Sequence, residues 1–252
     1  MELIIGHRGF VGSNLSIQIP QALGAGKAEI ESMAGKQFSN IYCAAPQAQK
    51  WWANQNPMED LDQVNQLIQS CCKLDCSDSF YLFSTVDVYD PPIEVTELDS
   101  PPSNSHSYGK HRYYLEQELL KVFESRLKII RLPALVGIGL KKNVVFDLMN
   151  DKNVHLINPN SSFQWFNLDR LQEVIAIAHG INSQVLNVAS EPLPTIDILH
   201  KWFPEACSRL NWDATPIIYD FRTIFGPDGS SYLYSKEEII NNHLTPFIEA
   251  GN

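Results

Sequence analysis

Residues 3–12 read Leu3-Ile4-Ile5-Gly6-His7-Arg8-Gly9-Phe10-Val11-Gly12. The apolar triplet has the composition of a strand buried on both faces, and a helical pattern opens directly behind the last glycine. That placement, between a strand and a helix, separates a dinucleotide-binding loop from a chance run of glycines. Gly6 permits the tight turn, Gly9 lets backbone approach a pyrophosphate, and Gly12 lets the helix pack closely on the sheet. The first N–H groups of a helix, here those around Phe10 and Val11, have no intrahelical acceptor and sit at the positive end of its dipole. Gly6, Arg8, Gly9, Phe10, Val11 and Gly12 are therefore the expected grip on a dinucleotide diphosphate.

Outward from this loop, apolar runs alternate with helical patterns in the βαβα order of a parallel sheet. The spacing predicts strands at Leu3–Ile5, Asn40–Ala44, Ser79–Ser84 and Leu127–Leu132, with a weak one at Ala28–Ile30. It predicts helices at Gly12–Leu23, shortened by Pro20, and at Glu59–Cys72 and His106–Glu124. A proline-rich loop separates Pro91 from Pro102. After Pro133 the pattern loosens. Short strands are expected at Val154–Ile157, Gln164–Leu168 and Val185–Val188, and helices at Asn143–Met149, Leu171–His179, Ile196–Trp202 and Ile239–Glu249. The expected fold class is α/β, a Rossmann-type doubly wound parallel sheet with a small C-terminal substrate lobe. Residues 1–252 form a single NAD(P)-binding domain on this reading, with the substrate-covering elements mainly within 137–252.

Composition narrows the class of function. A chain of 252 residues that is 44% hydrophobic can bury a full core without staples. A net charge of −10 argues against a nucleic-acid partner. The longest apolar runs are strand-length, which excludes a membrane span, and Leu3–Ile5 is too short for a signal peptide. Cys71, Cys72 and Cys76 are expected as free thiols in a buried helix and its end rather than as a zinc site, since their spacing suits no metal. Free thiols fit a reducing, cytoplasmic setting.

The glycine pattern resembles that of the extended short-chain dehydrogenase/reductase superfamily, the NAD-dependent epimerase/dehydratase family; Gly6-His7-Arg8-Gly9 is most similar to the loop of GDP-fucose synthases. By that resemblance Arg8, just before the second glycine, pairs with the 2′-phosphate of NADP. Glu31, at the end of the weak strand, would instead hydrogen-bond a ribose 2′-OH and favour NAD. The balance of the two gives a slight preference for NADP over NAD. Ala44-Ala45 resembles the pair that packs on the adenosine side.

Phe83-Ser84-Thr85-Val86-Asp87-Val88-Tyr89 ends a strand on the side where open α/β sheets bind ligands. It resembles the family's S-[ST]-x-x-V-Y-G stretch, which makes Thr85 the hydroxyl that holds the reacting substrate oxygen. Tyr108-Gly109-Lys110-His111-Arg112, with Glu116, resembles Y-G-x-S-K-x-x-x-E, which makes Tyr108 the general acid/base. Positions 108 and 112 lie one turn apart on one helix face. A tyrosine titrating near 10 needs such a cation to act at neutral pH. Arg112 stands where the family has lysine; it keeps the charge, but its pKa is too high to relay protons. Asp60 falls where relatives often carry asparagine. Dehydratases carry an Asp-Glu pair after the catalytic threonine, and Val86-Asp87 lacks one of the two carboxylates, which disfavours a full dehydratase and leaves Asp87 available for acid or base work.

Further on, Ile130-Arg131-Leu132-Pro133 with Gly137-Ile138-Gly139 resembles the strand that places a proline, here Pro133, near the nicotinamide. Asp169 in Leu168-Asp169-Arg170-Leu171 is placed to cap the next helix. Trp51 and Trp52, near Gln47 and Gln49, could cover a substrate ring or pack in the surface. The resemblance spans roughly residues 1–200, and residues 205–235 match no landmark. It implies an NAD(P)-dependent oxidoreductase or epimerase acting on a small molecule, a nucleotide-linked sugar or similar polar substrate. Homodimer pairing through helices 58–72 and 106–125 is a further implication. A dinucleotide-binding sensor or regulatory protein that has lost turnover is the alternative, and Arg112 is the feature that feeds it.

Overall fold

The structure, a computed structural model, describes residues 1–45 and 48–251; Gln47 lies outside them. The sheet begins with β1 (Leu3–Ile5), followed by α1 (Phe10–Gln18) and β2 (Leu23–Ala25). Next come β3 (Gln37–Cys43), the short α2 (Lys50–Gln55), α3 (Pro57–Cys71) and β4 (Asp75–Thr85). Then α4 (Ser107–Phe123) leads into β5 (Leu127–Leu132). The second half adds β6 (Ala134–Val136), α5 (Val144–Met149), β7 (Ser162–Phe163), β8 (Trp165–Asn167) and α6 (Leu171–Gly180). It ends with β9 (Val185–Asn187), β10 (Leu193–Pro194), α7 (Thr195–Trp202) and a C-terminal helical run.

Six strands form one sheet in the order β2-β1-β3-β4-β5-β9, every neighbouring pair parallel. The chain leaves β1 toward β2, then crosses back to β3 on the other side. This reversal makes the crevice between β1 and β3, outside their carboxyl ends, the place where such sheets take ligands.

The pleat sorts the core into two layers, because successive strand side chains point to opposite faces. Leu3, Ile5, Phe80, Leu82, Leu127 and Ile129 pack with Val64, Leu115 and Leu119 of α3 and α4. Their strand neighbours Ile4, Tyr81, Phe83, Ile130 and Leu132 pack on the opposite face with Leu15 of α1 and Val174 of α6. Helices on both faces of a parallel sheet define the Rossmann-type fold expected from the alternating runs.

Three local expectations are corrected. The second strand lies at Leu23–Ala25, not Ala28–Ile30: α1 stops before Pro20, so the chain reaches the sheet edge early, and Leu3–Ile5 supplies the ladder that poor strand formers could not choose alone. Residues Val154–Leu156 are a 3₁₀ turn entered through Asn153 at φ 51°, not a strand. Cys71 and Cys76 are buried thiols, but Cys72 is exposed because it caps the end of α3 on the outer face. Among the described residues, no helix is long and apolar enough to cross a membrane.

Candidate active site

The loop after β1 has the backbone the glycines announce. Gly6 lies at φ 80°, and its N–H donates to the carbonyl of Ala25 while Gly9 N–H donates to Gly6 O. A Cβ at Gly12 would sit 2.2 Å from Gly6 O, and one at Gly6 would sit 2.9 Å from Ala44 O. The cradle therefore exists only without side chains at both positions. Gly9 starts α1 with no side-chain cap, and the first turn, which includes the half-buried Phe10 and Val11, holds no acidic residue. Donors left unpaired beside a cradle that Cβ atoms would close are what a dinucleotide diphosphate needs, so these residues fit one. Ala44 and Ala45 follow β3 on the opposite wall, half-buried.

At the edge of the cradle the exposed Arg8 donates to Glu29 at 2.6 Å. The same carboxylate accepts the N–H of Gly26, the residue after β2, at 2.7 Å. The hydrogen bond from Arg8, with that from Gly26, holds Glu29 below the usual carboxylate range. Glu31, expected in this place, points away and meets Lys73 at 3.6 Å with both side chains exposed. The early β2 moves the strand-end carboxylate from position 31 to position 29, a shift no local pattern revealed.

Thr85 closes β4, and Pro133 follows β5, whose Leu132 is the sheet partner of Thr85. The N-terminus of α4 drops onto the turn after β4: a Cβ at Gly109 would sit 2.2 Å from the carbonyl of Asp87. This contact brings the buried Tyr108 beside Thr85, close enough for the threonine hydroxyl to favour the phenolate. Asn54 of α2 accepts the Tyr108 backbone N–H at 2.9 Å and fixes the helix start.

Asp87 is not a free loop carboxylate. Lys50 Nζ donates to its Oδ1 at 2.8 Å and the Tyr219 hydroxyl at 2.7 Å. Burial and this carboxylate push the Tyr219 phenol up. Burial and the Lys50 charge push His106, which accepts the Gly109 N–H, down. Lys50 and Tyr219 were missed from sequence. Lys50 had only its nearness to Trp51 as a clue, and Tyr219 lies where no landmark guided the reading. Trp51 itself is 56% exposed, on the helix face next to the one that aims Lys50 at Asp87.

Arg112 and Asp60, two separate departures from the family pattern, meet. Nη1 and Nη2 of Arg112 each donate to Asp60 at 2.9 Å, and His111 Nδ1 lies 2.7 Å from Asp60 Oδ2. Burial works against the Asp60 charge, but the hydrogen bonds and charges of Arg112 and His111 outweigh it and keep its pKa below the ordinary value. The guanidinium lies over the Tyr108 ring, 4.4 Å from its centroid. Arg112 lowers the phenol's pKa as expected, yet desolvation is the larger effect, and Tyr108 is pushed up to about 12. The pull of Arg112 on the phenol therefore has the expected direction but is outweighed by burial.

A cavity of about 200 Å³ lies in the C-terminal half, lined by Val144, Asp147, Asn158, Phe163 and Ile217 among others. Its Phe163 ring is 5.9 Å from the ring of Tyr219, which joins the cavity wall to Asp87.

No family model and no curated protein matches the chain in sequence. Solved structures do match in shape. An NAD-dependent NDP-hexosamine 5,6-dehydratase, TunA, aligns over 88% of this chain and 87% of its own, with a TM-score of 0.69 at 16% identity. A UDP-N-acetylglucosamine 4-epimerase from Methanobrevibacter ruminantium M1, in complex with UDP-N-acetylmuramic acid, aligns over 98% and 96%, with a TM-score of 0.68 at 13% identity. A UDP-glucose 4-epimerase from Thermotoga maritima aligns over 95% and 91%, with a TM-score of 0.65 at 15% identity. The chain shares the fold of this dehydratase and these epimerases over most of its length.

Proposed function

We propose that the chain is an NAD-using oxidoreductase or epimerase that acts on a carbinol carbon of a nucleotide-linked sugar or similar polar substrate. The observation that carries this reading is Tyr108 set beside Thr85 at the carboxyl end of the sheet, next to a glycine cradle with unpaired helix donors. Gly6, Gly9 and Gly12, with the N–H groups of Phe10 and Val11, would hold the diphosphate of a dinucleotide, and Pro133 and Ala44-Ala45 would line its nicotinamide and adenosine sides. A nicotinamide held there would supply hydride-transfer chemistry.

The chain's own groups manage the oxygen. Thr85 donates to the substrate oxygen and orients it. Tyr108 donates a proton to that oxygen in reduction and takes it back in oxidation. A phenol raised to about 12 is a weaker acid than a free tyrosine, so the pull of Arg112 on its proton matters to the transfer. Asp87, fixed by Lys50 and Tyr219, presents a carboxylate to a neighbouring substrate hydroxyl or carbon acid. The cavity bounded by Phe163 holds the distal part of the substrate. Trp51 lies too far out on α2 to be assigned a contact.

NAD replaces NADP as the favoured cofactor. Arg8 is already engaged by Glu29, whose carboxylate stands where a 2′-phosphate would be repelled and a ribose hydroxyl welcomed.

The test is the identity of any copurifying nicotinamide, by absorbance and mass, followed by turnover of a sugar-nucleotide panel. Bound NAD with turnover that Tyr108→Phe abolishes supports the reading. A cofactor held tightly with no turnover on any panel member would convert it to the sensor alternative.

A further inference from the structure

Asp60 sits in α3 and Arg112 in α4, and both are buried, 2% and 4% exposed. Their contact uses both carboxylate oxygens and both terminal guanidinium nitrogens. This fork-on-fork geometry fixes the guanidinium plane in a way a single hydrogen bond cannot. The plane so fixed is the one that covers the Tyr108 ring. A lone cation on that face would draw the phenol toward its anion. A cation with a carboxylate clamped to it acts on its neighbour less than the cation by itself would.

We propose that Asp60 is a positioning residue: it clamps Arg112 flat over Tyr108 and, by offsetting the guanidinium charge, weakens the pull of Arg112 on the phenol proton. The two departures from the family pattern are then one device, since asparagine opposite Arg112 would take the Asp60 charge out of the fork and aspartate opposite a lysine would gain no fork.

The other groups facing Tyr108 stay constant through the test. From the end of β4 comes Thr85, and from the turn after it the carboxylate of Asp87. Asp87 carries Lys50 from α2 and Tyr219 from the C-terminal segment as partners. From α4 itself comes the ring of His106, 6.3 Å away. His111 shares Oδ2 of Asp60 and is the same residue in every variant.

The inference deepens the reading of Tyr108 as the proton-transfer group, yet its test uses the protein without cofactor or substrate, so its outcome is independent of turnover. The measurement is the titration of tyrosine Cζ by NMR, with the Tyr108 signal assigned from Tyr108→Phe. In Asp60→Asn the Tyr108 midpoint falls by about one unit or more, a tenfold or greater gain in phenolate at a given pH. In Asp60→Asn/Arg112→Gln, where both charges are gone, it does not fall. Asp60→Asn/Arg112→Lys, which restores a lone cation beside asparagine, lowers it again and carries the test should the single variant not fold. A Tyr108 midpoint that stays at or above the wild-type value in the variants that keep a lone cation overturns the proposal and leaves Asp60 a packing residue.

Discussion

Glu116 of α4 and Arg131 of β5 form an ion pair at 2.6 Å with neither side chain reaching solvent. A second arm of Arg131 meets the other Glu116 oxygen at 3.1 Å, Ser84 of β4 donates to that same oxygen at 2.5 Å, and Arg131 also donates to the Tyr89 hydroxyl. The glutamate that follows the Tyr108 motif therefore works beneath the site: it ties α4 to the two strands whose ends carry Thr85 and Pro133.

Removing that glutamate leaves a buried cation without its partner. Glu116→Ala is expected to cost about 3–5 kcal/mol, read as a lowered denaturation midpoint in urea. A variant within 1 kcal/mol of wild type, on the same order-of-magnitude scale, would show that Arg131 finds compensation elsewhere.

The proposed preference for NAD rests on the carboxylate at position 29. Glu29→Gln keeps a hydrogen-bonding side chain at the Gly26 N–H but removes the charge. Calorimetric titration should show NADP affinity rising relative to NAD by about tenfold, the scale of one uncompensated charge at a partly screened site. No change in the ratio would remove Glu29 from the ribose site.

Gly109 is the close approach that seats Tyr108. Gly109→Ala places a Cβ 2.2 Å from the Asp87 carbonyl and 2.9 Å from Ser105 Oγ, so the start of α4 must lift. We expect a stability loss of about 1–3 kcal/mol and, in a crystal structure of the variant, separation of the Tyr108 and Thr85 hydroxyls. Unaltered hydroxyl geometry would contradict this account of the motif's glycine.

His243, wholly buried, accepts the Asn167 N–H through Nδ1 at 3.1 Å. Burial, with the charge of Arg170, pushes its pKa down to about 4. The folded value lies below the unfolded one near 6.5, so the unfolded chain binds the proton first. The neutral form's stability is fully present above that unfolded value and drains away as pH falls toward 4. The loss approaches about 3 kcal/mol, and urea midpoints measured across this window should fall with acid. His243→Gln should flatten the slope; an equally steep slope in the variant assigns the acid sensitivity to other groups.

The glycine loop, the Thr85 strand end and the Tyr108 helix were legible because each is a local pattern, a period or a motif within one turn of chain. Glu29 was not legible. It took the strand-end role from Glu31 because β2 starts where the ladder with β1 lets it start, and ladder pairing is a property of two segments. Lys50 and Tyr219 reach Asp87 across 37 and 132 positions of sequence, and nothing near either residue records that destination.

The linear order of residues by itself determined the parallel α/β architecture, the glycine loop between β1 and α1, and the positions of Thr85 at a strand end and Tyr108 at a helix start, since hydrophobic period and turn chemistry act over a few bonds. Only the tertiary structure decided that Asp60 clamps Arg112, that Glu29 engages Arg8, and that burial outweighs Arg112 at Tyr108. Each of those depends on burial and on charges brought together from distant segments, and electrostatics in a desolvated site is set by neighbours in space, not in sequence.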